Sequence, residues 1–313
     1  MNGLEISEAY FDQFGMPMLR QQFPELLPIV SAGLFGSGSE CFGFDDETSR
    51  DHDFDPGFIL LIPGEDVVSR KAEFALERAY AALPREFEGI KRPAMAPVGG
   101  ARRGVVRMAD FFAEKTGSAD GRLTMNQWLH VPSHALAEAV NGKVFHDGSG
   151  ELSLIRANLE HYPDDIRRKK LAGHLLLAAQ AGQYNYLRCL RHGEAAAAQL
   201  TVFAFAQSAM EIVFLLNDVY QPFYKWRFRA LRGLPKLPLT AELLEYLITT
   251  DNEGQMAQDK HEVMEGIAQD IIGELEAQGL TKASCRDLEK HAYSVNDGIA
   301  DGTLRNSHIL SGV

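Results

Sequence analysis

The chain has 313 residues, 45% of them apolar and 24% charged, with a formal net charge of −12. That balance fits a soluble globular chain long enough for two domains of ordinary size. The acidic surplus and the lack of a long basic block disfavour binding to nucleic acid backbones. They favour a cationic or protein substrate, or a nucleotide whose phosphates are neutralised by metal ions, and they leave room for a local basic pocket.

The three cysteines, Cys41, Cys189 and Cys285, lie far apart and form no CxxC pair. Zinc-site spacing is therefore lacking, and reduced thiols in a cytoplasmic protein are the expectation. The first residues, Met1-Asn2-Gly3-Leu4-Glu5, have neither the basic nor the apolar part of a signal peptide. No apolar run reads as long enough to span a bilayer. The longest candidate, residues 200–216, contains Gln207 and Glu211 and reads as a buried helix.

Residues 5–30 are predicted helical from Tyr10, Phe11, Phe14, Leu19, Phe23 and Leu26, with Pro17 and Pro24 as breaks. Residues 29–35 read as a short strand running into the small-residue turn Gly36-Ser37-Gly38-Ser39. A polar loop, 44–50, and the acidic run 51–55 then lead through Pro56-Gly57 into a strand at 58–62. Residues 66–83 form a helix with Ala72, Leu76, Ala79 and Leu83 on its apolar side. A further strand is expected at 104–108, followed by a short helix through Phe111 and Phe112. After about residue 150 the pattern becomes helical and rich in Ala and Leu, and 233–238 is a proline-marked connection. Tyr184, Leu187, Leu190 and the stripe Phe203, Phe205 to Phe214 are expected in the core. The fold class is α+β: a mixed sheet with flanking helices over residues 1–150, then an all-helical domain over 151–313.

Chemistry concentrates in Gly36-Ser37 and Asp51-His52-Asp53. On an extended segment, residues i and i+2 face one way, so Asp51 and Asp53 present two carboxylates about 7 Å apart at the backbone. Hard divalent ions such as Mg²⁺ prefer such oxygen ligands and complete their shell with water and phosphates. A Gly-Ser turn lets the backbone approach a phosphate, and Ser37 adds a hydroxyl donor. Taken singly, each feature is also an ordinary turn or a solvated acidic loop. A calcium-loop reading of Asp51, Asp53 and Asp55 fails, because the sixth position is Pro56 and the twelfth is Ile62. A His52-Asp53 phosphohydrolase dyad would need a helix, and this pair sits between a polar turn and Pro-Gly.

Strand, Gly-Ser turn, spacer, Asp-x-Asp and apolar strand occur here in that order. Phe35-Gly36-Ser37 and Asp51-His52-Asp53 thereby resemble the signature of the DNA polymerase beta-like nucleotidyltransferase superfamily. Residues 44–53, Gly142-Lys143-Val144-Phe145-His146-Asp147, Gln221-Pro222-Phe223-Tyr224-Lys225-Trp226 and Leu304-Arg305-Asn306-Ser307-His308-Ile309 resemble a bacterial branch of it. Its layout is similar to that of the aminoglycoside adenylyltransferases, whose helical C-terminal domain completes the nucleotide site.

That resemblance implies that Gly36 and Ser37 meet the nucleotide phosphates, and that Asp51 and Asp53 hold Mg²⁺, or Mn²⁺ in its place. It implies that Asp147 lies near the nucleotide at the domain junction and that Lys225 reaches a phosphate from the helical domain. The expected reaction moves a nucleoside monophosphate from an NTP, ATP first among them, to a hydroxyl of a small molecule or protein, without nucleic acid or membrane. The chain departs from the pattern on the strand at 104–108, which offers Val105, Val106 and Arg107 where a third carboxylate is usual. Asp110, Asp147 or Glu151 could substitute. Otherwise the chain is a catalytically impaired nucleotide-binding regulator or a partner-binding protein. Asp55 reads as a solvated acid beginning a bend.

Overall fold

The structure, a computed structural model, describes residues 1–47, 55–92 and 103–313. The chain divides into two compact units. One comprises Met1–Thr124 and His134–Glu160, the other Met125–Ser133 and His161–Val313.

Among the described residues, the first unit has a sheet of four strands, β1 (Ser31–Leu34), β2 (Ile59–Ile62), β5 (Gly104–Arg107) and β6 (Lys143–Asp147), and a two-stranded hairpin, β3 (Glu86–Phe87) and β4 (Ile90–Lys91). The sheet order is β5-β2-β1-β6. β1 is antiparallel to both neighbours, whereas β2 and β5 run parallel. Parallel neighbours need a crossover, and α3 (Arg70–Ala82) lies within it. All four residues of β2 are buried, as expected of an uninterrupted apolar strand with both faces covered. Alternate residues Phe58, Leu60 and Ile62 enter the core with Tyr10, Phe11, Leu19, Leu76 and Tyr80. The other helices of this unit are α1 (Gly3–Tyr10), α2 (Met16–Gln22), α4 (Met108–Thr116), α6 (Ser133–Val140) and α7 (Glu151–Leu159); α5 (Met125–His130) belongs to the second unit.

Pro17 does not break the first helix as the sequence suggests. α1 and α2 are joined by a π-helical turn, Phe11–Gly15, in which Met16 N–H donates to Phe11 O five residues back. Proline lacks an N–H and crowds the carbonyl four residues earlier; the wide turn just ahead accommodates it in the first turn of α2. Gly15 closes this helix onto the sheet, since a Cβ there would lie 2.6 Å from the Phe58 ring.

The second unit is helical: α8 (Asp164–Ala178), α9 (Tyr186–Arg191), α10 (Ala195–Leu216), α11 (Arg227–Arg232), α12 (Thr240–Thr249), α13 (Gly254–Ala277), α14 (Leu288–Asp297) and α15 (Gly302–Asn306). α10 packs against α8, α9, α12 and α13 and buries Val202, Phe205, Ala209, Ile212 and Leu216. It extends to Ala195, beyond the apolar run visible in the sequence. Among the described residues it is the one helix long and apolar enough to cross a bilayer, with mean hydropathy 1.6, and most of its apolar window is buried. Tyr184, expected in the core, is exposed, and Tyr186 is buried in its stead with its hydroxyl on Asn252 Oδ1 at 3.0 Å. A second π-helical turn, Ala179–Asn185, is the reason: it widens the helix and turns each following side chain away from the 3.6-residue stripe. Phe203 is likewise more exposed than the stripe implies, while Phe205 and Phe214 are buried.

Candidate functional site

The Gly36-Ser37 turn follows directly from β1. Gly36 has φ +117°, a conformation that glycine alone adopts readily. Its N–H donates to Asn141 Oδ1 (2.8 Å) and its carbonyl accepts from Asn141 Nδ2 (2.7 Å). Both polar groups of Gly36 are thus committed to the fold, and Ser37 is left as the donor-bearing residue of the turn. Asn141 is held in turn by Arg156 of α7. Its guanidinium donates to the carbonyls of Val140 (2.6 Å) and Asn141 (2.8 Å) and lies 5.5 Å from the centre of the Phe35 ring. Those carbonyls end α6, where the helix leaves acceptors unpaired.

The turn lines a cavity of about 410 Å³, the size of a small-molecule site. Leu34, Ile59, Val106 and Phe111 supply its apolar walls, and Glu40, Arg103, Asp110, Glu114 and Lys115 its charges. The strand directions explain the gathering. β2 pairs antiparallel with β1, so the start of β2 lies beside the end of β1, and the parallel β5 brings Arg103 to the same end.

Arg103 is 7% exposed and fully engaged. Nη2 donates to Glu40 Oε1 (2.8 Å). Nη1 donates to the carbonyls of Asp55 (2.6 Å) and Gly57 (2.8 Å) and reaches Ser7 Oγ (3.3 Å), and Nε lies 3.5 Å from Asp55 Oδ2. Asp55 is therefore an ion-paired, largely buried acid rather than the solvated one expected from the sequence; a partner forty-eight positions away has no local signature. Its Oδ1 also accepts from Gly57 N–H at 2.6 Å. Lys115 Nζ is 2.7 Å from Glu138 Oε2. Both cations among the described lining residues are thus ion-paired, with Glu114 Oε1 a further 3.7 Å neighbour of Lys115 Nζ, and the side chains of Asp110 and Glu114, four residues apart on α4, are exposed.

The acidic pair Asp51 and Asp53 lies outside the described residues. Asp55, two positions further on, stands at the cavity end of the sheet. Among the described residues, no group of three or more His, Cys, Asp and Glu side chains is placed to hold a metal. The described part of the cavity lining nevertheless offers a hard ion hydroxyl and carboxylate oxygens, and no imidazole is among its described residues. Cys41, which lines the cavity too, stays a thiol, since burial, helped by the charge of Glu40, pushes its pKa up to about 12.

The structure does not bring Asp147 to this cavity. Asp147 pairs with Ser31 in the β1–β6 register, at the opposite end of β1 from Gly36. Its carboxylate accepts from Ser31 Oγ (2.8 Å), Ser153 N–H (2.9 Å) and Ser153 Oγ (2.6 Å), capping the first turn of α7. Burial opposes its ionisation, but the bonds from Ser153 and Ser31 outweigh it and hold the carboxyl below its ordinary range. Lys225 belongs to the second unit. It is exposed on the short turn Tyr224–Trp226, with Nζ 5.1 Å from the centre of the Trp226 ring.

β5 carries no carboxylate, and Arg107 does not face the cavity. It donates to the carbonyls of Pro63 and Val68 and to Glu73 Oε2, fastening the far end of β2 to α3. Of the three substitutes for the missing acid, Asp110 is the one that lines the cavity, in the first turn of α4. Sequence reasoning missed Glu40, Arg103 and Asn141. Asn141-Gly142 is a turn signal, but nothing local ties it to Gly36.

A family model described as a domain of unknown function (DUF4037) matches residues 128–227, a stretch that includes Asp147 and Lys225. A search of the curated proteins finds no match. Among solved structures, a nucleotidyltransferase-like protein from Exiguobacterium sibiricum 255-15 is similar to this chain over 90% of its length and 89% of its own. The two are 13% identical, with a TM-score of 0.37.

Proposed function

We propose that the cavity beside Gly36-Ser37 is the triphosphate site of a metal-dependent nucleotidyltransferase. One observation carries this reading: the sheet sets at one end the Gly36-Ser37 turn and Arg103, which binds the Asp55–Gly57 approach to β2, and both the turn and Arg103 line one cavity. The glycine–serine half of the sequence signature thus borders a space of suitable size. Asp51 and Asp53 are the residues proposed to hold Mg²⁺ or Mn²⁺, whose chemistry when bound would be to neutralise the phosphate oxygens. Ser37 donates to a phosphate oxygen from a turn that Asn141 keeps rigid. The acceptor hydroxyl oxygen bonds to the α-phosphorus, the bond from that phosphorus to the bridging oxygen breaks, and pyrophosphate departs with the electron pair. The hydroxyl proton passes to a base, for which Asp110 is the best-placed carboxylate among the described residues. The chain contributes positioning and charge neutralisation, with no covalent enzyme intermediate.

A second reading has an observation in its favour. With only Val105, Val106 and Arg107 on β5, a catalytically impaired nucleotide sensor fits the same cavity. Calorimetric titration with a non-hydrolysable ATP analogue, with and without Mg²⁺, tests the shared part of both readings. Metal-dependent binding that Asp51→Ala/Asp53→Ala loses is the expected result. No binding of this analogue or of its GTP, CTP and UTP counterparts would remove both readings. Pyrophosphate release from ATP then separates enzyme from sensor.

A further inference from the structure

The second unit holds a cavity of its own, about 630 Å³ in volume and within the range of small-molecule sites. One wall is the π-helical turn Ala179–Asn185, which contributes Gln180, Gln183, Tyr184 and Asn185. The other is the segment entering α14, with Arg286, Asp287 and Glu289. The wide turn shapes the first wall. Tyr186 N–H donates to Ala181 O, five residues back, and Gly182 seats the turn on α10, where a Cβ would lie 2.5 Å from the Phe205 ring. Single π-helical turns inside helices recur at functional sites.

The backbone of both walls is fixed. Gln183 joins them: its Nε2 donates to Glu265 Oε2 and to the Arg286 carbonyl (both 3.0 Å), and its Oε1 accepts from Leu288 N–H (2.9 Å). Gln269 Nε2 reaches the same Arg286 carbonyl at 3.2 Å, and Asp287 Oδ1 accepts from Glu289 N–H at 2.9 Å. The side chains at the mouth are held less. Arg286, Gln180 and Asn185 line the cavity without a side-chain hydrogen bond or ion pair to any described residue. Tyr184 is 61% exposed. Arg188 steadies it, donating to its hydroxyl at 2.9 Å with the guanidinium 5.3 Å from the ring centre.

These groups define the ligand by chemistry. Arg188 and Arg286 stand among Glu265, Asp287 and Glu289, so the signs alternate and the cavity does not gather a polyanion. The first amides of α14, at Leu288 and Glu289, are already taken by Gln183 and Asp287, so the helix N-terminus holds no anion either. What remains is an aromatic ring, a planar guanidinium and two carboxamides, each with donor and acceptor. Flat heterocycles stack on tyrosine and guanidinium planes, and their polar edges pair with Asn and Gln amides.

We propose that this cavity binds a nucleobase, presented on a nucleoside, with Tyr184 and Arg286 against its faces and Gln180 and Asn185 at its edge. The site is independent of the reading given for the Gly36-Ser37 cavity, where phosphates are the recognised groups.

Calorimetric titration of the full-length protein with adenosine, guanosine, cytidine and uridine in Mg²⁺-free buffer tests it, because nucleosides carry no phosphate for the Gly36-Ser37 turn. Saturable binding of at least one nucleoside, and none of ribose alone, is the expected result. Tyr184→Ala and Arg286→Ala are each expected to weaken that binding about tenfold, the scale of one lost stacking contact with a base. Both side chains are exposed, so the thermal midpoints are expected to match the wild type. Phe74→Ala, which removes an exposed aromatic from α3 in the first unit, is expected to bind as the wild type does. Failure of all four nucleosides to bind would overturn the proposal. So would ribose binding as well as they do, unchanged affinity in Tyr184→Ala or Arg286→Ala, or an equal loss in Phe74→Ala. None of these outcomes bears on the ATP-analogue titration, whose readout depends on Mg²⁺ and on Asp51 and Asp53.

Discussion

The side-chain amide of Asn141 pairs with both polar groups of Gly36, accepting from its N–H at 2.8 Å and donating to its carbonyl at 2.7 Å. Residues 105 positions apart thus share a two-bond link resembling one rung of a sheet. The expected consequence is that Asn141→Asp, which keeps the acceptor and loses the donor, destabilises the first unit by about 1–3 kcal/mol, because it strands a carbonyl. It should also weaken binding of an ATP analogue, since the turn no longer holds its shape. Chemical denaturation and calorimetry on the one variant read both effects. Unchanged affinity with lowered stability would make the link purely structural.

Gly36 and Gly142 are both glycines with positive φ, for different reasons. A Cβ on Gly36 meets nothing within 4 Å, so Gly36→Ala carries only the backbone strain of φ +117°. A Cβ on Gly142 would lie 2.0 Å from the carbonyl oxygen of Leu34, on top of the strain of φ +68°. Gly36→Ala is expected to cost about 1–3 kcal/mol, and Gly142→Ala clearly more, because backbone cannot move aside as a side chain can. Urea midpoints of the two variants, compared side by side, check the order.

Lys260 is fully buried, with Nζ donating to Gln199 Oε1 (2.9 Å) and the Thr250 carbonyl (2.8 Å). Burial, opposed by the charge of Asp251, lowers its pKa to about 8. The folded chain therefore gives up this proton before the unfolded chain does. Below pH 8 both states hold the proton and the cost of burying the charge is present in full. Between pH 8 and the ordinary lysine value, the unfolded chain holds more protons, so stability rises with pH, by up to about 1.4 kcal/mol per unit. Lys260→Met should lack this rise. Lys170, also near 8, and Cys41, near 12, titrate in both proteins, so the difference between wild type and variant over pH 8–9.5 isolates Lys260. Parallel stability curves would contradict the assignment.

Lys225 is exposed beside Trp226, and its assignment to a nucleotide phosphate comes from the sequence resemblance alone. Lys225→Ala is expected to weaken ATP-analogue binding about tenfold while leaving the thermal midpoint within a degree or two, as for any exposed side chain. Equal affinity in variant and wild type would take Lys225 out of the nucleotide site.

The sequence by itself determined those features whose cause is local. The apolar run at β2, the 3.6-residue spacing of Ala72, Leu76 and Ala79 on α3, and the Ala- and Leu-rich helices of the second unit were all legible, and with them the α+β class. Gly36-Ser37 was legible as a turn at the end of a strand, because glycine's conformational freedom is a property of one residue. Tertiary structure decided what depends on contacts distant in the chain. Arg103 could not be read as the partner of Glu40 and Asp55, because the parallel pairing of β2 and β5 creates that proximity. Asp147 looked like a site residue in its motif, yet the antiparallel register of β1 and β6 carries it to the far end of the strand, where two serines claim its oxygens. The π-helical turns at 11–15 and 179–185 let Pro17 continue a helix and set Tyr186 rather than Tyr184 in the core. Composition and spacing encode which residues tend toward helix, strand or turn; the register between strands and the extra residue in a helical turn are fixed only when the whole core packs.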